Sequence, residues 1–125
     1  MDMLSLNLDT YQWTLVKTKA KDGDKQNLPN TRDEHSCVIY KDSMIVFGGF
    51  VFGERTNEIF MYHFETHTWE KINVDGGMAC PCPRVGHSAI VWLDEAEGDK
   101  MVIFGGKDDE NNKLGDTWKF NFKTK

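Results

Sequence analysis

Two histidines, two arginines and a pair of cysteines are the side chains of this sequence best suited to chemistry. His35 follows Arg32, and His87 follows Arg84, by the same three-residue step. Catalytic residues are usually unique in a chain, whereas these recur, which points to structural work. Each imidazole is expected to hydrogen-bond neighbouring backbone. Each arginine is expected to form a packing contact within the repeat or an ion pair between repeats. Cys80-Pro81-Cys82-Pro83 is the most unusual local sequence. A zinc site needs two paired clusters of ligands, and this is a single pair. His63 and His67 stand four residues apart at the end of a strand rather than on a helix. No metal, no cofactor and no catalytic residue is therefore expected, and the prolines read as stiffeners of a loop.

The elements that position these residues come from an internal repeat. Thr31-Arg32-Asp33-Glu34-His35-Ser36 returns as Pro83-Arg84-Val85-Gly86-His87-Ser88, and Met44-Ile45-Val46-Phe47-Gly48-Gly49 as Met101-Val102-Ile103-Phe104-Gly105-Gly106. Asn57 to Thr66 returns as Gly115 to Thr124. An earlier copy of that block opens the chain as Asp2 to Thr10, with Trp13 in the place of Trp69. The arginines are 52 residues apart, the Gly-Gly pairs 57 and Trp13 and Trp69 56, the difference lying in loops. Trp118 aligns with Phe60, not with Trp69. The parse is residues 2–18 as the last two strands of one unit, 32–74 as a complete repeat, and 83–124 as a repeat lacking its last strand.

In the complete copy, four short runs rich in β-branched and aromatic residues read as strands: Ser36 to Tyr40, Met44 to Gly48, Glu58 to Phe64 and Thr68 to Ile72. Short connections make the first and last pairs antiparallel hairpins. Stacked repeats bury their sheets against one another, so Val38, Ile45, Phe47, Phe60, Tyr62, Trp69, Val102, Phe104 and Phe120 are expected in the core.

Arg-x-x-His-Ser, an apolar strand ending in Gly-Gly, an Asn-Glu or Gly-Asp opening, and Glu-Thr-x-x-Trp, in that order, resemble the kelch repeat. The resemblance implies an all-β fold, a partial β-propeller of about two and a quarter four-stranded antiparallel blades. It gives Arg32, His35, Gly48, Gly49, Trp69, Arg84, His87, Gly105 and Gly106 roles in the structural motif, with the glycines packed beside aromatics of a neighbouring blade. Kelch propellers generally bind proteins. Some are enzymes, galactose oxidase-like copper enzymes and plant nitrile-specifier proteins among them, with unique ligands around a central channel.

The formal charge of −5 disfavours nucleic acid, which calls for clustered Lys and Arg. No apolar run approaches the roughly 20 residues of a membrane span, and the N-terminus has no signal-peptide pattern. Three cysteines do not make a disulfide framework. A cytoplasmic setting is the resulting expectation.

Alternating strand direction puts the loops after the second and fourth strands on one rim: Val16 to Thr31, Phe50 to Asn57, Asp75 to Pro83 and Lys107 to Leu114. A partner protein is expected there, at Phe50, Phe52, Arg55, Lys107, Asp108 and Asp109, because apolar groups beside charge suit an interface. The lysine-rich segment from Val16 to Thr31 reads first as a mobile, solvated loop and second as a docking site for an acidic segment. On the opposite rim, Asp94, Glu95, Glu97 and Asp99 read as a solubilising insertion. Leu4, Leu6, Leu8, Trp118, Phe120 and Phe122 are expected on unfinished sheets, to be completed by further blades or by a host complex. A scaffold that binds a protein, a propeller enzyme and an architectural subunit are the three functional classes in view.

Overall fold

The computed structural model describes residues 2–74 and 79–125. Every extended element falls where the repeat places a strand, or next to one. The first sheet is a hairpin of β1 (Met3–Leu6) and β2 (Trp13–Val16). The second contains β3 (Lys19–Ala20), β4 (Ser36–Tyr40), β5 (Ser43–Phe47), β8 (Ile59–His63) and β9 (Thr68–Ile72), in the spatial order β3-β9-β8-β5-β4. Between β5 and β8 lies a small hairpin of β6 (Phe50–Val51) and β7 (Glu54–Arg55). The third sheet is β10 (Ser88–Trp92), β11 (Lys100–Phe104) and β12 (Thr117–Asn121). The chain is all-β, and its helical content among the described residues is two 3-10 turns, Lys21–Gly23 and Lys25–Asn27.

The repeat is accurate down to register. Ile45, Val46 and Phe47 pair with Met61, Phe60 and Ile59; Val102, Ile103 and Phe104 pair with Lys119, Trp118 and Thr117. Because strand side chains alternate, each sheet has two faces of different composition. One face of the second sheet carries Val38, Ile45, Phe47, Ile59, Met61 and Ile72, buried against Met101, Ile103 and Phe122 of the third. Its other face carries Val46, Phe60, Tyr62 and Trp69, with Met3 of the first sheet packed on it. Strand β4 lies beside β10, so the first strands of the two repeats are neighbours. Tyr40 stacks on Phe122 across the seam at 4.0 Å.

Three expectations are corrected by this arrangement. Phe104 is 52% exposed and Val102 only half-buried. They occupy the face that, in the second sheet, meets the next sheet, and no further sheet among the described residues covers it. Conversely, Trp118, Phe120 and Phe122 do not sit on an open face. Their register turns them toward the second sheet, where Phe122 is buried and the other two are half-buried. Leu4 and Leu8 are exposed, as are Trp13 and Leu15.

The segment after Val16 is also not a free loop. Lys19 and Ala20 pair in parallel with Thr68 and Trp69, making the second sheet five-stranded rather than four-stranded. Asn27 Oδ1 accepts a hydrogen bond from the Lys71 amide, and Lys21 Nζ reaches Glu70 at 2.7 Å. The outer edge of β9 offers unpaired backbone groups, and the segment satisfies them.

Candidate functional site

The recurring arginines come first, because they hold the corners from which the rim loops leave. Arg32 is buried; it donates to the Gly48 carbonyl at 3.1 Å and to Glu58 Oε2 at 3.2 Å, with its guanidinium over the Phe60 ring. Arg84 repeats the pattern with better geometry, donating to the Gly105 carbonyl and in bidentate fashion to Asp116 at 2.8 Å for both oxygens. Paired, planar donors of this kind make the stronger charge-assisted bonds. The Arg84 guanidinium holds the Asp116 carboxyl far below the usual carboxylate range. Burial opposes ionisation of Glu58, yet Lys71 and Arg32 together keep its carboxyl below its usual value. Both pairs join residues of one repeat. The expected alternative, an ion pair between repeats, is not what forms.

Contact between repeats is made by the histidine and the glycines instead. His87 Nε2 lies 2.7 Å from Ser36 Oγ, the serine of the preceding repeat, and its ring meets Phe47 edge-on. The expected backbone partner is thus a side-chain hydroxyl across the seam. His35, its counterpart, is exposed. The Gly49 amide donates to the Arg84 carbonyl at 3.0 Å, and the Gly86 amide to that of Glu34 at 3.1 Å. Within its own repeat, Gly106, with φ of 95°, passes Val85 so closely that an added Cβ would sit 2.6 Å from its carbonyl oxygen.

On this frame stands the rim. Phe50–Val51 and Glu54–Arg55 form a two-residue hairpin whose tip is Phe52-Gly53. Both tip residues have positive φ, 49° and 86°, the condition for a turn that matches strand twist. Phe50 pairs with Asp33 and is exposed at its ring. Phe52 is 84% exposed. Arg55 does not face outward: its guanidinium donates to the Asp108 carbonyl and, at 2.7 Å, to Asn111 Oδ1. The Asp108 carboxylate is likewise committed, accepting from the amides of Glu110 and Asn112 and from the Asn112 side chain. Asn112, through those bonds, keeps the Asp108 carboxyl below its usual value. Lys107 pairs by backbone with Val85, and its side chain, like that of Asp109, is exposed. Of the six residues expected at a partner surface, Phe50, Phe52, Lys107 and Asp109 present themselves, while Arg55 and Asp108 join the two loops. Residues 75–78 of the third expected rim loop lie outside the described residues. Asn57 ties the remainder down through the Pro81 carbonyl at 3.0 Å.

The sequence missed Ser36, Glu58, Asp116 and Asn111. The first three had a signal, since Ser36 and Ser88, and Glu58 and Asp116, align between copies. Asn111 had none. On the opposite rim, Asp99 accepts from the Tyr40 hydroxyl at 2.6 Å, and Asp94 binds Lys100 at 3.0 Å. Those two carboxylates fasten the insertion, Glu97 lies 3.8 Å from the same Lys100 ammonium, and Glu95 is left to solvation. His63 bridges Ser43 and Glu70, and Glu70 is also neutralised by Lys21. His67 bonds the Tyr62 hydroxyl. Among the described residues no group of three His, Cys, Asp or Glu is arranged to hold a metal ion.

A family model described as the KLHDC2/KLHL20/DRC7 Kelch-repeats domain matches residues 1–125. The chain belongs to the kelch-repeat family. Kelch domain-containing protein 1 of Mus musculus is 33% identical over 124 residues, covering 82% of this chain and 29% of its own length. Host cell factor 2 of Homo sapiens is 37% identical over 100 residues, covering 75% of this chain and 11% of its own. Ras guanine nucleotide exchange factor F of Dictyostelium discoideum is 34% identical over 109 residues, covering 84% and 8%. This kelch chain therefore spans less than a third of the length of each of these relatives.

The kelch histidine at the seam makes stability depend on pH. Burial pushes His87 down to about 4, with the nearby Arg84 charge acting in the same direction, from an ordinary value of 6.5. The unfolded chain therefore binds a proton below pH 6.5 that the folded chain refuses until about pH 4. Stability is complete above 6.5 and falls as pH drops toward 4. The expected loss is on the order of 2–3 kcal/mol. Urea titrations across this window should show it, and His87→Asn should remove the part of the slope above pH 5, where carboxylates contribute little.

Proposed function

We propose that this kelch chain is a non-catalytic protein-binding scaffold, and that the rim bearing Phe50, Phe52, Lys107 and Asp109 meets the partner. The observation that carries the reading is Phe52. A bulky aromatic residue at φ of 49° is uncommon, and the left-handed region costs an L-residue roughly 1–2 kcal/mol. The hairpin pairing sets that conformation, but the ring adds no burial to offset its cost, because it is 84% exposed. A partner pocket closing on the ring would recover it. Its support is stiff: Arg55 anchors the same hairpin to the neighbouring loop, so little ordering remains to be done on binding. Lys107 and Asp109 flank it with both signs of charge, the polar rim that surrounds an apolar anchor.

A photo-cross-linking phenylalanine analogue placed at Phe52 in the protein tests this, with the same analogue at Glu95 on the opposite rim as reference. The expected result is a discrete adduct from position 52 and none from 95. Once the adduct's partner is purified, Phe52→Ala should weaken binding about thirtyfold, or ~2 kcal/mol, as for a central anchor. Adducts from position 95 alone would place the interface elsewhere. Stoichiometric copper or iron in the purified protein would favour the enzyme class instead.

A further inference from the structure

The arginines, the glycines and the seam histidine recur with the repeat, and one polar cluster does not. On the rim opposite Phe52, β5 begins with Ser43 and β8 ends with His63, and their register sets the two side by side. Thr68 is the β9 residue opposite His63, and Glu70, two positions on, returns to the same face by strand alternation. Ser43 Oγ lies 3.3 Å from His63 Nδ1, and His63 Nε2 lies 3.0 Å from Glu70 Oε2. In the third sheet the pair Ser43 and His63 is replaced by the pair Lys100 and Asn121. In the first copy Asn7 and Thr14 stand where His63 and Glu70 would be. Residues with a structural duty return with each copy; these three do not.

A second serine–histidine pair, Ser36 and His87, gives the comparison. Both are buried, and His87 Nδ1 has no partner. His63 differs in having a carboxylate behind it. Burial opposes ionisation of Glu70, yet Lys21 and His63 together keep its carboxyl below its usual value. A charged Glu70 accepts the Nε2 proton and leaves the Nδ1 lone pair to Ser43, the relation of orienting group, base and nucleophile. Ser43 also differs from Ser36 in opening onto a cavity of about 440 Å3. Thr66 and Thr68 line it, their hydroxyls bonded to each other at 2.7 Å. One of the two donates, so the other keeps its proton for an oxyanion. Asp22, Asp42 and Glu65 line the cavity against Lys21 alone, a balance of charge that repels an anionic reactant.

We propose that Ser43 is a covalent modification site, a nucleophile with His63 as its base and Glu70 orienting that base, which takes one acyl group from an uncharged or cationic activated ester. Ser43 Oγ bonds to the acyl carbon, and the bond from that carbon to the leaving oxygen or sulfur breaks. The hydroxyl proton passes to His63 Nδ1 and from there to the leaving group or to water; nothing is oxidised or reduced. The product is an unactivated alkyl ester, so the transfer stops at one acyl group per chain.

The probe is 4-nitrophenyl acetate added to the full chain, with the acetyl group mapped by mass spectrometry of tryptic peptides. Peptide 42–55 holds Ser43 and no other hydroxyl, thiol or lysine, and peptide 85–100 holds the exposed Ser88 as its one hydroxyl. Acetylation of Ser43 should run at least about a hundredfold faster than that of Ser88, the lower end of what a positioned base supplies. His63→Gln should bring Ser43 to the rate of Ser88, and Glu70→Gln should slow it about tenfold. Thermal melts of both variants confirm that the fold is kept. The monoanionic 4-nitrophenyl succinate should react more slowly at Ser43 than the acetate, by about tenfold, through charge repulsion. A Ser43 rate equal to that of Ser88 would overturn the proposal, and so would a rate unchanged by His63→Gln or by Glu70→Gln in a folded variant. Equal rates for the acetate and the succinate would overturn the assigned class of donor. Steady nitrophenolate release that disappears with Ser43→Ala would overturn the single transfer.

Discussion

Trp69→Ala lowers the stability of the fold by about 3–5 kcal/mol, the usual cost of emptying a large aromatic site. Trp69 is 1% exposed and tilts against Tyr62 at 5.0 Å, within the cluster of Val46 and Phe60. None of these neighbours can collapse into the space, because each is held by a cross-strand pairing of its own. The Tyr62 ring would lose its packing partner while its hydroxyl stayed bonded to His67 at 2.9 Å. Trp13 is the same residue at the same point of the preceding repeat, yet it is 66% exposed. Trp13→Ala should therefore stay within about 0.5 kcal/mol of the parent, as surface substitutions do. Urea unfolding of the two variants side by side gives the comparison. The midpoint should shift for Trp69→Ala with the slope unchanged. Equal losses would mean that the outer face of the first sheet is covered in solution.

Gly48→Ala is expected to cost about 3 kcal/mol and Gly105→Ala only about 1–2 kcal/mol, although both glycines open the same Gly-Gly pair. Each has positive φ, 68° and 69°, so both substitutions carry the left-handed penalty of roughly 1–2 kcal/mol. They differ in what the new methyl meets. At Gly48 it would lie 2.9 Å from the Arg84 carbonyl oxygen and 2.9 Å from His87 Cε1, both belonging to the next repeat. Backbone must move, and with it the bond from the Gly49 amide to the same Arg84 carbonyl. At Gly105 the nearest atom is the Leu114 carbonyl oxygen at 3.1 Å, in its own repeat. The seam is the difference. Thermal melts of the two variants would show it, and loss of the His87-dependent pH slope in Gly48→Ala alone would place the damage at the sheet interface. Equal destabilisation would mean that positive φ, not the close approach, governs the pair.

The four strands of the complete repeat and the kelch resemblance were legible in the sequence because they depend on local order. Alternation of apolar residues, turn chemistry at Glu-Thr and Lys-Asp, and a block that returns 52 to 57 residues later are properties of short segments, and a repeat states them more than once. The arginines, glycines and Trp69 of the motif could be named for the same reason. What each residue touches was not legible, because it depends on what lies across the seam, and sequence similarity treats all copies alike. Phe47 and Phe104 are the same residue at the same repeat position, one 3% exposed and the other 52%. His87 finds Ser36 in the preceding repeat, while His35 stands exposed. On the rim, the sequence indicated which loops gather but not that Arg55 is held by its neighbour while Phe52 is left in solvent. A periodic pattern determines the surface each sheet offers. Only the packing of one sheet on another decides which of those surfaces is removed from water, since burial is a property of pairs of elements and not of either alone.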